Sequence, residues 1–411
     1  MSTGKNKSTI IPILLVNFID SLGFSIVIPF LVILTLKLGG NELSYGFLGA
    51  TYSAFQLIGS PILGAWSDKY GRRKILLLSE IGTFLGWSVF FIALLIPVTT
   101  PKPGSGIHGV FMNTLPLFLL FIARAVDGIT GGNISVAYAY LADISSHSDR
   151  KKNYGKMTAS QNIGFIVGPA MAGVLGATAL GLLTPVLGAM FISALAVVVI
   201  IFKLKDVKPV IEKQEKKEKV NILKLPFIPY FLLLYFLIYL AFNFFYVAFP
   251  VYVAQQLHWT VFKLGIFFAV LSGVMVIIQG PVLSAVSKHF SDGSLVITGG
   301  IILSSSFALF SSANDVVLYT GAVLFACGNG LMWPSFLASL ANATDDRYQG
   351  RVQGIAGSMG SLASIIGLIS GAFLYKIFGA NIMWLSAVFM FLISGVCIRI
   401  VSIERNRKLA A

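Results

Sequence analysis

Residues 64–74 read Gly-Ala-Trp-Ser-Asp-Lys-Tyr-Gly-Arg-Arg-Lys and lead from one long apolar run, 44–66, into the next, 75–98. Each run reaches the roughly 20 residues that an α-helix needs to cross the hydrocarbon core of a bilayer. The connection is short and rich in Lys and Arg, which is typical of a cytoplasmic loop between two membrane-spanning helices. We therefore predict a helical hairpin in a membrane.

The composition of the whole chain agrees with a lipid environment. Of 411 residues, 11% are charged and 56% are hydrophobic, whereas about a quarter of the residues of an ordinary soluble domain are charged. This excludes soluble enzymes, nucleic-acid binders and disulfide scaffolds as first interpretations. Cys327 and Cys397 both lie inside apolar runs, where a thiol packs as a small hydrophobic group. Neither a disulfide framework nor a metal cluster is indicated.

Apolar runs of spanning length recur six times before residue 203 and six times after residue 226. They cover 10–36, 44–66, 75–98, 115–142, 155–178, 184–203, 227–252, 260–286, 295–312, 316–341, 352–375 and 382–402. The runs lack the short alternation of barrel strands, and lipid admits only helices or closed barrels. We predict an all-α membrane protein with twelve transmembrane helices in two six-helix halves. The halves are 1–203 and 226–411, joined by a charged cytoplasmic linker, 204–225.

The net charge of +14 is explained by topology. With the N-terminus in the cytoplasm, 25 of the 30 Lys and Arg fall in cytoplasmic segments, in the linker or in the tail, as the positive-inside rule predicts. Both termini are then cytoplasmic, and the first apolar run is a retained helix because no small-residue cleavage site follows it. The surplus charge needs no nucleic acid. Binding of lipid headgroups by the linker stays open as an alternative.

Ordered patterns appear in three places besides the apolar runs. The loop at 64–74 combines small and charged residues, namely Gly64, Asp68, Gly71, Arg72 and Arg73. Span four contains Arg124-x3-Gly128 and ends at Asp143. Span five contains a proline among small residues, namely Gly164, Gly168, Pro169 and Gly173. Small residues let helices approach closely, and the proline bends its helix because it removes a backbone donor.

These patterns resemble the signatures of the major facilitator superfamily. The resemblance continues into the second half through Asp345-Asp-Arg-x2-Gly350-Arg351, so it covers nearly the whole chain. Span five is similar to the Gly-Pro signature of the antiporter branch. Span one, with Asp20-Ser-Leu-Gly23-Phe24 and Pro29, looks like the drug/proton antiporters that include tetracycline exporters. The resemblance implies transport by alternating access, with residues 64–74 and Asp143 as a gating loop.

Acidic residues inside the spans are the strongest candidates for chemistry. A charged side chain at mid-span costs roughly 2.5–3.5 kcal/mol on insertion scales, so it must be protonated, paired or hydrated. Asp20, Glu80 and Asp127 qualify. Glu80 lies six residues past Lys74, and we expect its side chain to extend back to the cytoplasmic interface.

The other two acids are predicted to take part in proton coupling together with Arg124. Arg124 and Asp127 are three residues apart and share a helix face. They either form a fixed buried ion pair or compete with Asp20 for the arginine as a proton-linked switch. On span one, Asn17 and Phe24 share the face of Asp20, which predicts a polar strip along an interior cavity.

The sequence departs from tetracycline exporters in spans eight and nine. Those exporters place a histidine and an acid there, whereas residues 272–284 and 297–309 contain neither. The intramembrane acids are confined to the first half, so we expect proton coupling to reside there. The same departure weakens tetracycline as the expected substrate.

The second half offers aromatic and amide side chains instead. Helical spacing aligns Tyr235, Tyr239, Asn243 and Tyr246 on span seven, and spans eight and ten add Gln279, Asn329 and Trp333. Such stripes are commonly packing, but the polar groups favour a wet aromatic cavity for an amphipathic organic molecule. We assign these residues to a substrate cavity, with packing as the alternative.

The function expected from the sequence is that of a secondary active transporter and not of an enzyme. We predict proton-coupled export of small amphipathic organic compounds. A proton-coupled importer of a nutrient or metal chelate, or a passive facilitator, remains the alternative. No cofactor or metal is expected, because a proton gradient would supply the energy. The predicted partners are a small-molecule substrate and the lipid bilayer of a bacterial inner membrane, and the protein is expected to be a monomer.

Overall fold

A computed structural model of the chain describes residues 7–98, 114–145, 149–206, 222–344 and 348–403. Within these ranges the chain forms long helices joined by short connections and contains no strand, so the all-α prediction is confirmed. Nine helical segments of the described residues are long and apolar enough to cross a membrane. The exact number of twelve spans stays a prediction. Most of the charged linker, 207–221, and the acid-arginine cluster at 345–347 lie outside the described residues.

The chain divides into two compact units. The first comprises Met1–Glu215 together with Thr260–Ile266. Its helices are α1 (Lys7–Lys37), α2 (Glu42–Tyr70), α3 (Arg72–Leu95), α4 (Leu115–Thr130), α5 (Ile134–Ile144), α6 (Arg150–Gly176) and α7 (Leu183–Lys203). A short 3₁₀ turn, Gly131–Asn133, separates α4 from α5. The run predicted as one span at 115–142 is therefore broken in its middle.

Polar side chains fix the starts of two helices in this unit. Asn41 precedes α2, and its side chain accepts from the backbone N–H of Ser44 at 3.0 Å. The hydroxyl of Ser44 in turn accepts from the backbone N–H of Asn41, which completes a capping box. Thr114 precedes α4 and accepts from the backbone N–H of Leu117 at 3.2 Å. These caps satisfy backbone donors that a helix terminus leaves free.

Glycines on α6 bring this helix against the backbone of α1. A Cβ added to Gly164 would lie 2.7 Å from the carbonyl oxygen of Phe18. One added to Gly168 would collide with the hydroxyl of Ser25 and lie 2.9 Å from the backbone nitrogen of Ile26. The Ser25 hydroxyl donates to the carbonyl of Gly164 at 3.0 Å. The close approach places the acid-bearing face of α1 at a fixed distance from its neighbours.

We expect Gly168→Ala to destabilise the protein by about 1–3 kcal/mol, because the new methyl group meets backbone as well as a side chain. Thermal unfolding of the detergent-purified protein measures the change. Gly155→Ala is the matched control, since it lies on the same helix and a Cβ there meets nothing within 4 Å. Equal unfolding temperatures for the two variants would contradict the packing described for α1 and α6.

The second unit comprises Lys216–Trp259 and Phe267–Ala411. Its helices are α8 (Ile228–Gln255), α9 (Val261–Ile277, of which the first turns belong to the first unit), α10 (Leu283–Val286), α11 (Asp292–Leu309), α12 (Asp315–Asn342), α13 (Gln349–Phe378) and α14 (Ile382–Val396). A π-helical turn, Ile278–Val282, joins α9 to α10. Phenylalanines fill the core: the ring of Phe245 lies 4.8 Å from that of Phe310 and 5.0 Å from that of Phe325.

Candidate functional site

Two carboxyl groups from different helices meet at one amide in the first unit. The side-chain nitrogen of Asn133 donates to Asp20 Oδ2 at 3.0 Å and to Glu80 Oε1 at 3.4 Å. Asp20 comes from α1, Glu80 from α3, and Asn133 from the 3₁₀ turn that interrupts span four. The two carboxyl groups therefore share one amide nitrogen as their partner. The break in the helix thus supplies the group that holds the acids together.

The expectation that Glu80 extends to the interface is wrong. Its exposed fraction is 1%, and its carboxyl group lies at Asn133. The reason is the packing of α3: the hydroxyl of Ser79 donates to the carbonyl oxygen of Thr130, and a Cβ on Gly82 would collide with Thr130. These contacts hold α3 against the end of α4, so the side chain of Glu80 is enclosed.

Arg124 and Asp127 form a buried ion pair on α4. Arg124 Nη1 lies 3.1 Å from Asp127 Oδ2, and the two side chains are 5% and 12% exposed. The guanidinium carbon also lies 4.3 Å from the ring centroid of Tyr52, which is a cation–π arrangement. Arg124 Nε makes no hydrogen bond within the described residues. The pairing expected from their spacing is present, and the switching role of the pair stays a prediction.

Tyr52 connects this ion pair to the face of α1. Its ring lies 5.2 Å from that of Phe24, which in turn lies 5.8 Å from that of Phe165. The Tyr52 hydroxyl accepts from the side-chain nitrogen of Gln56 at 3.2 Å, and the same nitrogen contacts the carbonyl of Gly131 at 3.2 Å. Sequence reasoning missed Tyr52 and Asn133. The signal available was a polar residue inside an apolar run.

Asn17 shares the buried face of α1 but has a different partner. Its side-chain nitrogen donates to the carbonyl of Met157 on α6 at 2.9 Å, and the residue is 2% exposed. Asn17 therefore ties α1 to α6, whereas Asp20, one turn further along α1, lies at Asn133. The assignment of Asn17 to a substrate cavity stays a prediction.

The predicted gating loop is organised by Arg72. Its guanidinium pairs with Asp68 at 2.5 Å and with Asp143 at 3.0 Å, and it donates to the hydroxyl of Ser67 at 2.6 Å. Gly71 adopts a φ of 101°, a region that other residues rarely enter, so the chain can turn from α2 directly into α3. Arg72 thereby connects the end of α2, the start of α3 and the end of α5.

Arg73 binds a different helix end. It donates to the carbonyls of Ile200 and Ile201 at 3.2 and 2.6 Å and lies 3.5 Å from Asp206. These carbonyls belong to the last turn of α7, where a cation is favoured by the helix dipole. Gly64 lies on α2 near α5, since a Cβ there would lie 4.0 Å from the hydroxyl of Ser135. The loop therefore fastens four helices at one end of the unit.

The small residues around Pro169 serve close packing. Beside the Gly164 and Gly168 contacts with α1, a Cβ on Gly173 would lie 3.0 Å from the Cα of Gly265, in the segment Thr260–Ile266 of the same unit. Pro169 lies inside the continuous helix α6.

In the second unit the structure brings three of the predicted aromatic residues together. The rings of Tyr235 and Tyr239 are stacked at 5.0 Å, with 8° between their planes. The ring of Trp333 meets them edge-on at 5.1 and 5.2 Å, and Phe336 stacks on Trp333 at 5.8 Å. We call these four residues the aromatic cluster.

Amide side chains lie one helical turn from the aromatic cluster. Asn243 donates to the carbonyl of Tyr239 at 2.7 Å and to the hydroxyl of Ser364 at 3.2 Å. Asn329 lies four residues before Trp333 and donates to Met275 Sδ at 3.7 Å, while its amide oxygen has no partner among the described residues. Of the remaining predicted residues, Gln279 lies in the π-helical turn, and Tyr246 is 36% exposed, with its ring 6.4 Å from that of Phe242.

Comparison with known proteins places this arrangement in a family. The family model of the Major Facilitator Superfamily matches residues 13–303 and 231–410. The chain is 25% identical over 379 residues to the tetracycline resistance protein, class D, of Salmonella ordonez, covering 90% of each protein. It is 28% identical over 375 residues to multidrug resistance protein 1 of Bacillus subtilis, covering 89% of each.

A solved structure shows the same fold at lower identity. The crystal structure of a D-xylose-proton symporter superposes with a TM-score of 0.76 at 14% identity, covering 95% of this chain and 96% of that one. The family model covers nearly all of the chain, and the predicted resemblance is confirmed. The matched family is one of transporters, so the chain is a transport protein of the membrane and not an enzyme. It belongs to the major facilitator superfamily.

Proposed function

We propose that this protein is a proton-coupled exporter of small amphipathic organic compounds that works by alternating access in the bacterial inner membrane, with both termini in the cytoplasm. The carboxyl group of Asp20 supports the proposal most directly, because it is held inside a membrane-spanning helix by Asn133 and forms no salt bridge with the residues that the structure describes. A carboxylate in that position is costly unless it binds a proton or a cationic group. Proton uptake and release at Asp20 can therefore be linked to substrate movement.

The ion pair of Arg124 and Asp127 supplies the link to the helices. This pair lies on α4, directly before the 3₁₀ turn that carries Asn133. A change of charge at Asp20 therefore acts on α4 through Asn133 and through the ion pair. The sequence contains no Gly-x4-Gly-Lys-[Ser/Thr] loop for binding ATP phosphates. The energy source that fits these residues is an ion gradient.

The aromatic cluster and Asn329 support the substrate class. Stacked tyrosines with a tryptophan edge suit a flat organic ring, and the free amide oxygen of Asn329 suits a donor group on that ring. The tetracycline and multidrug resistance proteins to which the chain is similar point to the same class of compound.

The test is transport by the purified full chain in proteoliposomes, with fluorescent dyes and antibiotics as substrates. An acidic lumen should drive substrate accumulation by the exporter, because substrate enters as protons leave. Accumulation driven only by an acidic exterior would identify an importer that moves substrate with protons. Equilibration that ignores the pH gradient would identify a passive facilitator. Either of the last two results overturns the proposal.

We expect Trp333→Ala to weaken the apparent affinity for aromatic substrates about tenfold. The substitution removes ring contacts worth about 0.5–1.5 kcal/mol each and thereby disorganises the aromatic cluster. The dependence on the pH gradient should be retained. Concentration dependence of dye uptake measures the effect. Trp384→Ala is the matched control, because that tryptophan is 55% exposed on α14. A lost pH dependence with unchanged affinity would contradict the assignment.

A further inference from the structure

Glu80 is the buried acid that the proposed function leaves unused. It is 1% exposed, and its carboxyl group contacts the same amide nitrogen of Asn133 as the carboxyl group of Asp20 does. Two carboxyl groups that share one buried site cannot both be ionised without a large electrostatic cost. This geometry favours a single proton held by the two acids together.

Asn133 is placed to hold that arrangement. Its amide nitrogen carries two hydrogens, and it faces one oxygen of each acid, at 3.0 and 3.4 Å. Each acid uses one oxygen for this contact, so its second oxygen remains available to carry a proton. The segments α1, α3 and the 3₁₀ turn each contribute one of these side chains. The distances between the amide and the two carboxyl groups therefore depend on how the three segments pack.

The surrounding charges leave the two acids without a cation of their own. Among the described residues, the titratable groups that interact electrostatically with the two acids are Tyr52 on α2 and Asp127 on α4. Arg124 is paired with Asp127 at 3.1 Å. The salt bridges among the described residues include neither Asp20 nor Glu80. A proton is the remaining means of reducing two negative charges to one.

We propose that Asp20 and Glu80 form a single proton-binding pair, with Asn133 as its positioning residue. One proton is bound between the two carboxyl groups, and its release leaves two carboxylates that repel each other. That this proton is the one exchanged for substrate rests on the proposed function. Glu80 is thus an equal member of the coupling site, although it lies 60 residues from Asp20 in the chain.

Infrared difference spectra of the purified full chain between acidic and alkaline pH test the pair without any transport. The carbonyl band that the two acids share should disappear in Asp20→Asn and equally in Glu80→Gln, and the acid that remains should give a separate band with its own titration pH. The double variant should lack both bands. Independent acids would instead lose separate bands whose sum appears in the double variant, which overturns the proposal. An unchanged band in Glu80→Gln overturns it too.

Two further variants guard the result against misfolding. Glu42→Gln makes the same chemical change at the first turn of α2 and should leave the band unchanged. Glu80→Asp keeps a carboxyl group and should retain the band at a shifted position, whereas Glu80→Gln should lose it. Both Glu80 variants could lose the band because neither of them yields a monodisperse, folded protein. In that case Asn133→Ala provides the test, since it retains both acids. A band in Asn133→Ala identical to that of the wild type would overturn the proposal.

Transport then separates this proposal from the proposed function. In proteoliposomes Glu80→Gln should reduce substrate accumulation driven by the pH gradient at least about tenfold. With one proton exchanged per substrate, a gradient of one pH unit supports about tenfold accumulation, which the variant should lose. Wild-type protein that ignores the gradient would refute proton-coupled export while leaving the infrared result intact. Wild-type coupling that survives Glu80→Gln unchanged would refute only the role of the pair.

Discussion

Asp20→Asn is expected to abolish substrate accumulation driven by a pH gradient while preserving exchange of substrate across the membrane. Asparagine keeps the size and polarity of the side chain but cannot bind or release a proton. With one proton moved per substrate, a gradient of about 2 pH units supports about 100-fold accumulation. The variant should bring this ratio down to one. Proteoliposomes with an acidic lumen measure accumulation, and counterflow of labelled substrate measures exchange.

The two readouts make this prediction specific. Loss of accumulation together with loss of counterflow would indicate a damaged protein and not an uncoupled one. Glu42→Gln, at the first turn of α2, controls for the removal of an acid as such. Undiminished accumulation by Asp20→Asn would show that protons do not pass through this residue.

Arg72→Ala is expected to slow transport at least about tenfold with little change in apparent substrate affinity. Arg72 and Asp143 are only 11% and 10% exposed, and removing one partner of a largely buried pair leaves the other charge without compensation, at a cost of a few kcal/mol. Arg72 connects α2, α3 and α5 at one end of the unit. We expect the loss of these contacts to destabilise one of the two access states. Initial rates at varied substrate concentration separate turnover from affinity.

Neighbouring charges give the matched comparisons for Arg72. Lys74→Ala removes an exposed cation of the same loop and should leave turnover unchanged. Asp68→Ala should cost less than Arg72→Ala, because its carboxylate is 67% exposed and exposed ion pairs contribute little. A weakened affinity with normal turnover in Arg72→Ala would contradict the assignment of the loop.

Much of the fold could be predicted from hydrophobic run length. The run at 184–203 corresponds to α7 within one residue, and the run at 44–66 lies inside α2. The break at Gly131–Asn133 could not be predicted, because glycine and small polar residues also occur inside unbroken membrane helices. The two adjacent glycines and Asn133 were local signs, but whether they interrupt a helix depends on what packs against them.

The candidate site could be predicted only in part, because contacts within one helix follow from spacing whereas contacts between helices do not. The depth of Asp20 and the spacing of Arg124 and Asp127 follow from position along one helix. The partner of Asp20, Asn133, lies 113 residues away, and helical periodicity carries no information across that distance. The position of Glu80 was mistaken for a related reason: distance from Lys74 along the helix says how far a side chain can reach, whereas the packing of α3 on α4 decides its direction.

The location of the buried charged residues and of the aromatic cluster in different units has a consequence for how such a protein evolves. Among the described residues, the buried charged side chains Glu80, Arg124 and Asp127 all belong to the first unit, and the aromatic cluster belongs to the second. If the proposed function is right, substitutions in the cluster alter which compounds are transported and leave the proposed proton-binding groups unchanged. We therefore expect variants selected for transport of a new compound to accumulate changes on α8 and α12, while the acid-bearing faces of α1 and α3 stay as they are.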